Sequence, residues 1–298
     1  HRRRHSFPTR RSSDLLTLAD GKTNNATVLQ GLTAKQIGNL GIDTTGLSSG
    51  SNPEQRMSFL NNLLDSKSST DVDSVAKIQA IVKWVNDLSD FSAGKITTAA
   101  FTPSDFQGMG ISGVTDANLT VLLDEIKQSG AGSIGSMSDI NALITKSNTR
   151  ITAAYQAIQN YAQANADPTA TATGTAPTVQ NYQDVGVVGL DANNKDAVNT
   201  ALTALNLKSA NLQTTADIQK VVDAYTAVFA LAEGTANNAT PQQAITVDTL
   251  SNLGIDATSL SAGVNSSQRL SMINNVLDAQ QKTGVNTIAK VNNICLNL

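Results

Sequence analysis

The chain carries few side chains able to make or break bonds. Its two histidines are His1 and His5, and its one thiol is Cys295. General acid–base work and nucleophilic catalysis need an imidazole, or a nucleophile held beside a base. No Ser-His-Asp or Cys-His arrangement is available here. A single cysteine also excludes an internal disulfide framework and a cysteine-cluster zinc site. Calcium needs carboxylates clustered at fixed loop positions. The nearest stretch, DANNKD from Asp191 to Asp196, lacks the loop glycine and the closing glutamate and reads as the start of a helix. Asp71 and Asp73 precede another helix, where acidic side chains suit the positive end of the helix dipole. The run GMGISG at 108–113 lacks the spacing of a phosphate-binding loop. The expectation is therefore a protein that is not an enzyme, with no catalytic residue, metal ligand or cofactor.

Composition narrows the class further. Of 298 residues only 15% are charged and 4% aromatic, against roughly 25% charged in ordinary soluble domains. Thr, Asn and Ser supply 33, 28 and 27 residues, so small uncharged polar side chains dominate. No apolar run reaches the roughly 18 residues of a membrane-spanning helix, and a formal charge of −3 gives no reason to expect nucleic acid as a partner. The first fifteen residues stand apart. They have no apolar core or cleavage site of a signal peptide, and His5–Leu15, HSFPTRRSSDL, resembles the in-frame translation of a short-read sequencing adapter. Set aside, 1–15 remove both histidines and leave 16 basic and 23 acidic residues, a charge of −7.

The remainder is repetitive. LADGKTNNAT at 18–27 returns as LAEGTANNAT at 231–240, NLGIDTTGLSSG at 39–50 as NLGIDATSLSAG at 252–263, and QRMSFLNNLLD at 55–65 as QRLSMINNVLD at 268–278. All three pairs share an ungapped offset of 213, with 31 identities over the 68 positions from 18 to 85. A landmark of an apolar residue, Gly, then Ile or Val recurs at Gly41, Gly110, Gly186 and Gly254. The period is about 71, as tandem arrays show. The expected organisation is 16–30 as the tail of a preceding repeat and linker, then repeats at 31–95, 96–167, 168–241 and 242–298. The last is read as cut off, and the whole as a fragment of a longer protein.

Each repeat reads as three helices. The first is short and starts at a Thr cap: Thr33 with Gln36, Thr102 with Pro103 and Asp105, Thr178 and Thr246. The landmark glycine ends it in a left-handed turn. The second starts near Asn52, Thr115, Asp191 and Asn265. Met57, Leu60 and Leu64, then Leu119, Leu122, Leu123 and Ile126, then Val198, Leu202 and Leu205 form its apolar stripes. The third is longest. Val75, Ile78, Ile81, Val82, Val85 and Leu88 face inward in the first repeat. Ile140, Leu143, Ile144, Ile151, Tyr155 and Ile158 do so over roughly 137–165 in the second. Ile218, Val221, Val222, Tyr225, Val228 and Phe229 do so in the third. No period-two strand is present, and ADPTATATGTAPT at 166–178 is a linker. The fold expected is all-α, an elongated tandem array of small three-helix bundles.

Several polar features recur or stand out. Asn61-Asn62 and Asn274-Asn275 sit mid-helix, flanked by Arg56 and Arg269 and by Asp65 and Asp278. Asparagine has low helix propensity, so an interhelix hydrogen bond is expected there, with a ligand-contact face as the alternative. Trp84 is read as core packing rather than a binding anchor, and Cys295 as a small buried apolar residue. Asn25-Ala-Thr27 and Asn238-Ala-Thr240 fit the glycosylation pattern.

The run from Pro177 to Leu205, followed by Thr214 to Gly234, resembles the tandem helical repeats of very large bacterial adhesin and biofilm-associated surface proteins. Pro177, Thr178, Tyr182, Gly186, Val187, Gly189, Val198, Asn199, Ile218, Gln219, Val222, Asp223 and Ala224 carry the likeness. The second repeat keeps Phe106, Gly110, Gly113, Val114 and Asn118, whereas the first and fourth depart, with NLGID and the Arg and Asn-Asn block. The resemblance implies a secreted, extracellular stalk or spacer at the bacterial cell surface, whose partners are neighbouring repeats of its own chain. A fainter similarity to three-helix albumin-binding modules implies the alternative, a module recognising a host protein or a surface polysaccharide.

Overall fold

A computed structural model describes residues 11–22, 31–97, 100–165, 174–204, 209–235, 244–258, 260 and 265–297. Among them are fourteen α-helices and no strand. The chain divides into two compact units, His1–Thr149 and Arg150–Leu298. His1, His5, both glycosylation patterns, Leu205 and most of the 166–178 linker lie outside the described residues.

The first unit contains α1 (Arg11–Leu18), α2 (Ala34–Gly38), α3 (Thr45–Ser49), α4 (Pro53–Asp65), α5 (Val75–Ser92), α6 (Pro103–Gly108), α7 (Asp116–Ser129) and the first part of α8 (Met137–Ala164). Helix α5 is its centre. It packs against α3, α4 and α7, burying Ile78, Ile81, Val82, Val85 and Leu88 against Leu60, Leu63 and Leu64 of α4 and Leu122 and Ile126 of α7. The second unit holds the rest of α8, α9 (Val179–Asp184), α10 (Lys195–Ala201), α11 (Thr215–Leu231), α12 (Val247–Asn252), α13 (Ser266–Asp278) and α14 (Ile288–Leu296). Helix α11 holds the same central place, packing against α10, α12 and α13. The boundaries drawn from the sequence, at 95/96 and 241/242, thus fall between α5 and α7 and between α11 and α12, pairs of helices that pack together.

The short helices α2, α6, α9 and α12 start where the Thr pattern places them. Thr33, Thr102, Thr178 and Thr246 each accept a backbone N–H from the residue three places on, and Gln36, Asp105, Asn181 and Thr249 reciprocate. They stop at the landmark glycines, whose φ angles are +85° at Gly41, +87° at Gly110, +80° at Gly186 and +73° at Gly254. After three of the four, the residue following the glycine turns back onto the helix. Ile111 N–H donates to Phe106 O at 2.9 Å, Val187 N–H to Tyr182 O at 2.9 Å and Ile255 N–H to Leu250 O at 3.0 Å, with both side chains of each pair buried. This is the Schellman stop with its apolar contact, and it explains why the landmark reads Gly followed by Ile or Val.

Five details depart from the sequence reading. A further short helix, α3, lies between the first and second helices of the 31–95 segment, and just before it the Asp43 carboxylate accepts the Thr45 N–H at 2.9 Å. Helix α10 begins at Lys195 rather than Asp191, because the Asp191 carboxylate holds a separate turn through the N–H groups of Asn193 and Asn194. Val75 is 45% exposed at the first turn of α5, outside the buried stripe. Cys295 is half-buried rather than buried, and burial pushes its thiol up to about 11. Finally, α1 includes Arg11–Leu15, which the adapter likeness sets aside, and Leu15, Leu18 and Ala19 are buried. They stand 213 positions before Val228, Leu231 and Ala232, also buried, and α1 packs on α4 as α11 packs on α13. An aliphatic residue is all that position requires, and Leu15 supplies one.

The glycine geometry makes a paired prediction. A Cβ at Gly41 meets nothing within 4 Å, so Gly41→Ala is opposed only by its φ of +85° and should destabilise by about 1–2 kcal/mol. A Cβ at Gly108 also meets nothing, in a helical backbone, so Gly108→Ala should be neutral or stabilise by up to about 1 kcal/mol. Urea unfolding of the two variants, followed by circular dichroism, checks the opposite signs.

Candidate functional site

Of the recurrent asparagines, Asn61, Asn62 and Asn274 are used on the backbone of their own chain, whereas Asn275 is exposed. Asn61 Oδ1 accepts the N–H of Leu32 at 2.7 Å, and its Nδ2 donates to Leu32 O at 2.9 Å and Met57 O at 3.0 Å. Asn274 repeats the pattern on Ile245, at 2.7 Å and 3.1 Å, with Leu270 O at 2.9 Å. Leu32 and Ile245 each precede a capping Thr. The expected contact between helices is therefore a contact from helix to extended chain, fixing the entry to the next helix. Pro177 occupies the equivalent place before Thr178 and has no N–H to give. There Asn199 Nδ2 donates to Pro177 O at 2.9 Å, and its Oδ1 accepts the buried Tyr182 hydroxyl at 2.7 Å instead. Burial pushes the Tyr182 phenol far up, so it stays a donor.

The following residue on the same helix faces another element. Asn62 Oδ1 accepts the N–H of Met137 at 2.8 Å, and Thr200 Oγ1 accepts that of Ile288 at 2.8 Å. Met137 and Ile288 are the first residues of α8 and α14, whose leading N–H groups have no partner within the helix.

Two further amide contacts escape any reading of periodicity. Gln79 on α5 accepts the Asp43 N–H at 2.7 Å and donates to Asp43 O, while Gln219 on α11 accepts the Val188 N–H at 2.9 Å and donates to Val188 O at 3.0 Å. Asn118 and Asn194 donate to the carbonyls of Gly113 and Gly189, both at 2.8 Å and both from residues with left-handed φ. The sequence signals for these pairings are that Asn118 and Asn194 each stand eight residues past a landmark glycine, and that Asp43 and Val188, the partners of the glutamines, each stand two residues past one.

The charged groups are also engaged. Arg56 is buried and binds Asp90 on α5, Asn86 Oδ1 at 3.2 Å and Ser51 O at 2.9 Å. Its copy Arg269 is exposed. Arg150 forms a two-point pair with Asp184 at 2.7 and 2.8 Å. Lys146 reaches the buried Glu125 at 2.6 Å. Burial lowers the Lys67 ammonium, which donates to Gly108 O at 2.7 Å. Trp84 lies in the core of the first unit, with ring centroids 5.9 Å from Phe59, 6.3 Å from Phe101 and 5.5 Å from Phe106. Among the described residues no group of three or more His, Cys, Asp or Glu is placed to hold a metal ion. No helix of the described residues is long and apolar enough to cross a membrane.

Compared with protein-family models, curated proteins and solved structures, the chain matches none.

Two outcomes follow from this geometry. Asn61→Ala and Asn274→Ala each strand a backbone N–H and C=O, and each should cost about 1–3 kcal/mol in chemical denaturation. Asn61→Asp should be no milder, since it keeps the acceptor for Leu32 N–H but sets an oxygen against Leu32 O and Met57 O. Acid sensitivity has a defined sign. Hydroxyl donors hold Asp43, Asp256, Asp217 and Asp71 below their usual value, from Thr45, Thr258, Thr214 and Ser68, and the Asn193 N–H does so for Asp191. A carboxyl lowered by folding stabilises fully above its unfolded pKa, about 3.9 for Asp. The melting temperature should therefore be flat from neutral pH to about pH 5 and fall below about pH 4.

Proposed function

We propose that this chain is a spacer region of a large bacterial cell-surface protein. Its successive helical segments stack into an elongated tandem array that holds other domains away from the cell. The observation that carries the reading is how its motif residues are used. Thr178 caps α9, Tyr182 and Val187 close the glycine stop, Asn199 and Gln219 hold backbone, and Ile218 and Val222 fill the core. The conspicuous polar positions of the motif serve to hold the chain to itself, as a structural element requires.

A second support is the way adjacent segments are joined. Helix α5 packs on α7 as well as α4, α11 on α12 as well as α10, and Asn62 and Thr200 take N–H groups from the starts of α8 and α14. Such sharing suits an array in which each segment completes its neighbour's core, because a unit of about 70 residues with few aromatics supplies little core alone. The uncharged Ser, Thr and Asn content suits an extracellular surface that stays soluble without a strong field.

Small-angle scattering of the full chain tests the proposal. A stack of four such units extends on the order of 100 Å, taking about 30 Å for a 20-residue helix. A compact chain of this length has a radius of gyration near 19 Å. A clearly larger radius with a rod-like distance distribution is the expected result, and a compact profile overturns the spacer.

A further inference from the structure

The pair α4–α5 and its copy 213 positions on, α13–α14, present equivalent faces to different surroundings. In the first unit Phe59 and Leu63 of α4 and Ile81 of α5 are buried in one core with Phe106, Leu122 and Ile126 of α6 and α7. Their copies are uncovered. Met272 is 48% exposed, and Val276 and Ile294 are half-buried. Leu296, at the end of α14, is 69% exposed. A cavity of about 250 Å³ opens on this face, lined by Val276, Asn293, Ile294 and Asn297. Asn62 accepts the first N–H of α8, whereas its copy Asn275 is exposed. Apolar side chains gathered on an exposed face mark an interaction surface.

What covers such a face is visible twice. In the first unit α5 packs on α7, and Asn62 holds the start of α8. In the second, α11 packs on α12 and α13, with Leu250, Leu253 and Ile255 in its core, and Thr200 holds the start of α14. Both times the cover is the next segment along the chain, and the start of its third helix meets the preceding segment's second helix. Side chains choose between the two versions. Trp84, Ala224 and Asn297 each stand ten residues past the cap of their helix, at Ser74, Thr214 and Thr287. Trp84 takes the rings of Phe101 and Phe106, whereas Ala224 lies in an aliphatic core. Asn297 offers no ring to stack on, so the second version fits α14. We propose that the α13–α14 face docks a further helical repeat of the aliphatic kind seen from Ile245 to Ile294, whose third helix gives its leading N–H to Asn275. This docking rests on the stacking of successive segments in the spacer reading and assigns the neighbour that the fourth segment takes.

Cys295 is the only thiol of the chain and is half-buried on α14, so its rate of maleimide labelling reports the face. The full chain is compared with two extended forms. The short form adds residues 226–235 after Leu298, which only continues α14 as α11 continues past Tyr225. The long form adds 226–294, a whole repeat without a second thiol. Labelling is expected to be slower in the long form than in the short by about tenfold or more, as a covered site opens only transiently. Met272→Ser and Asn275→Ala, at side chains exposed in the chain as it stands, should not lower its urea midpoint but should lower that of the long form. Equal labelling in the two extended forms overturns the docking, as does a long form whose midpoint is indifferent to both variants. Protection of Cys295 that rises with concentration in the unextended chain also overturns it, by giving the face to a second copy. Scattering reads the spacer separately: an elongated profile with Cys295 freely labelled in the long form removes the docking alone, and a compact profile with Cys295 protected removes the spacer alone.

Discussion

The side-chain amide of Asn61 meets Leu32 with both of its polar atoms, and the rest of the first unit depends on that contact. A primary amide carries the donor and acceptor of a peptide group on a flexible stem. Placed mid-helix, it can bind an extended residue as a neighbouring strand would. Leu32 has no helix of its own to satisfy its N–H and C=O, and it immediately precedes the Thr33 cap. Fixing it sets the direction in which α2 leaves. That in turn sets where Gly41 ends α2, and where Gln79 meets Asp43. One asparagine on α4 and one glutamine on α5 thus hold the two ends of the same short helix, which has too few internal hydrogen bonds to stand alone.

This division of labour accounts for the odd composition. In many domains buried aromatics and ion pairs fix the relation of one element to the next. Here aromatics are scarce, and five of them, Phe59, Trp84, Phe91, Phe101 and Phe106, gather in one cluster of the first unit. Elsewhere neutral hydrogen bonds from amides and hydroxyls, individually worth about 1 kcal/mol net, share the fixing with a few ion pairs such as Arg150 with Asp184 and Lys146 with Glu125. Their strength lies in direction rather than energy. Each is satisfied only in one register, so the short helices cannot slide along the longer ones.

Much of this could be read before any coordinates. The Thr caps, the landmark glycines and the apolar stripes of α4, α5, α7 and α11 are local patterns, and local backbone sterics dictate them. What escaped was the choice of distant partners. Nothing in the spacing of Asn61 distinguishes a bond to a neighbouring helix from one to the chain before Thr33, because both place an amide at the same buried height. Gln79 and Gln219 were legible only as polar residues beside an apolar stripe. Val75 fits the stripe by spacing yet sits in the first turn, where α5 has no neighbour to cover it. The Asp191 carboxylate can cap a helix or hold a turn, and the turn wins because Asn193 and Asn194 both offer N–H groups to it.

The same reasoning explains how a corresponding contact survives a change of residue. Pro177 abolishes half of the contact that Leu32 and Ile245 make, and Tyr182 restores the balance by giving its hydroxyl to the oxygen of Asn199 that Pro177 cannot use. Donor and acceptor counts are conserved although the residues are not. The constraint on such a sequence is therefore satisfaction of the backbone at a few places, not identity at most of them. That is why its motif is soft and why polar positions drift between Asn, Gln and Thr.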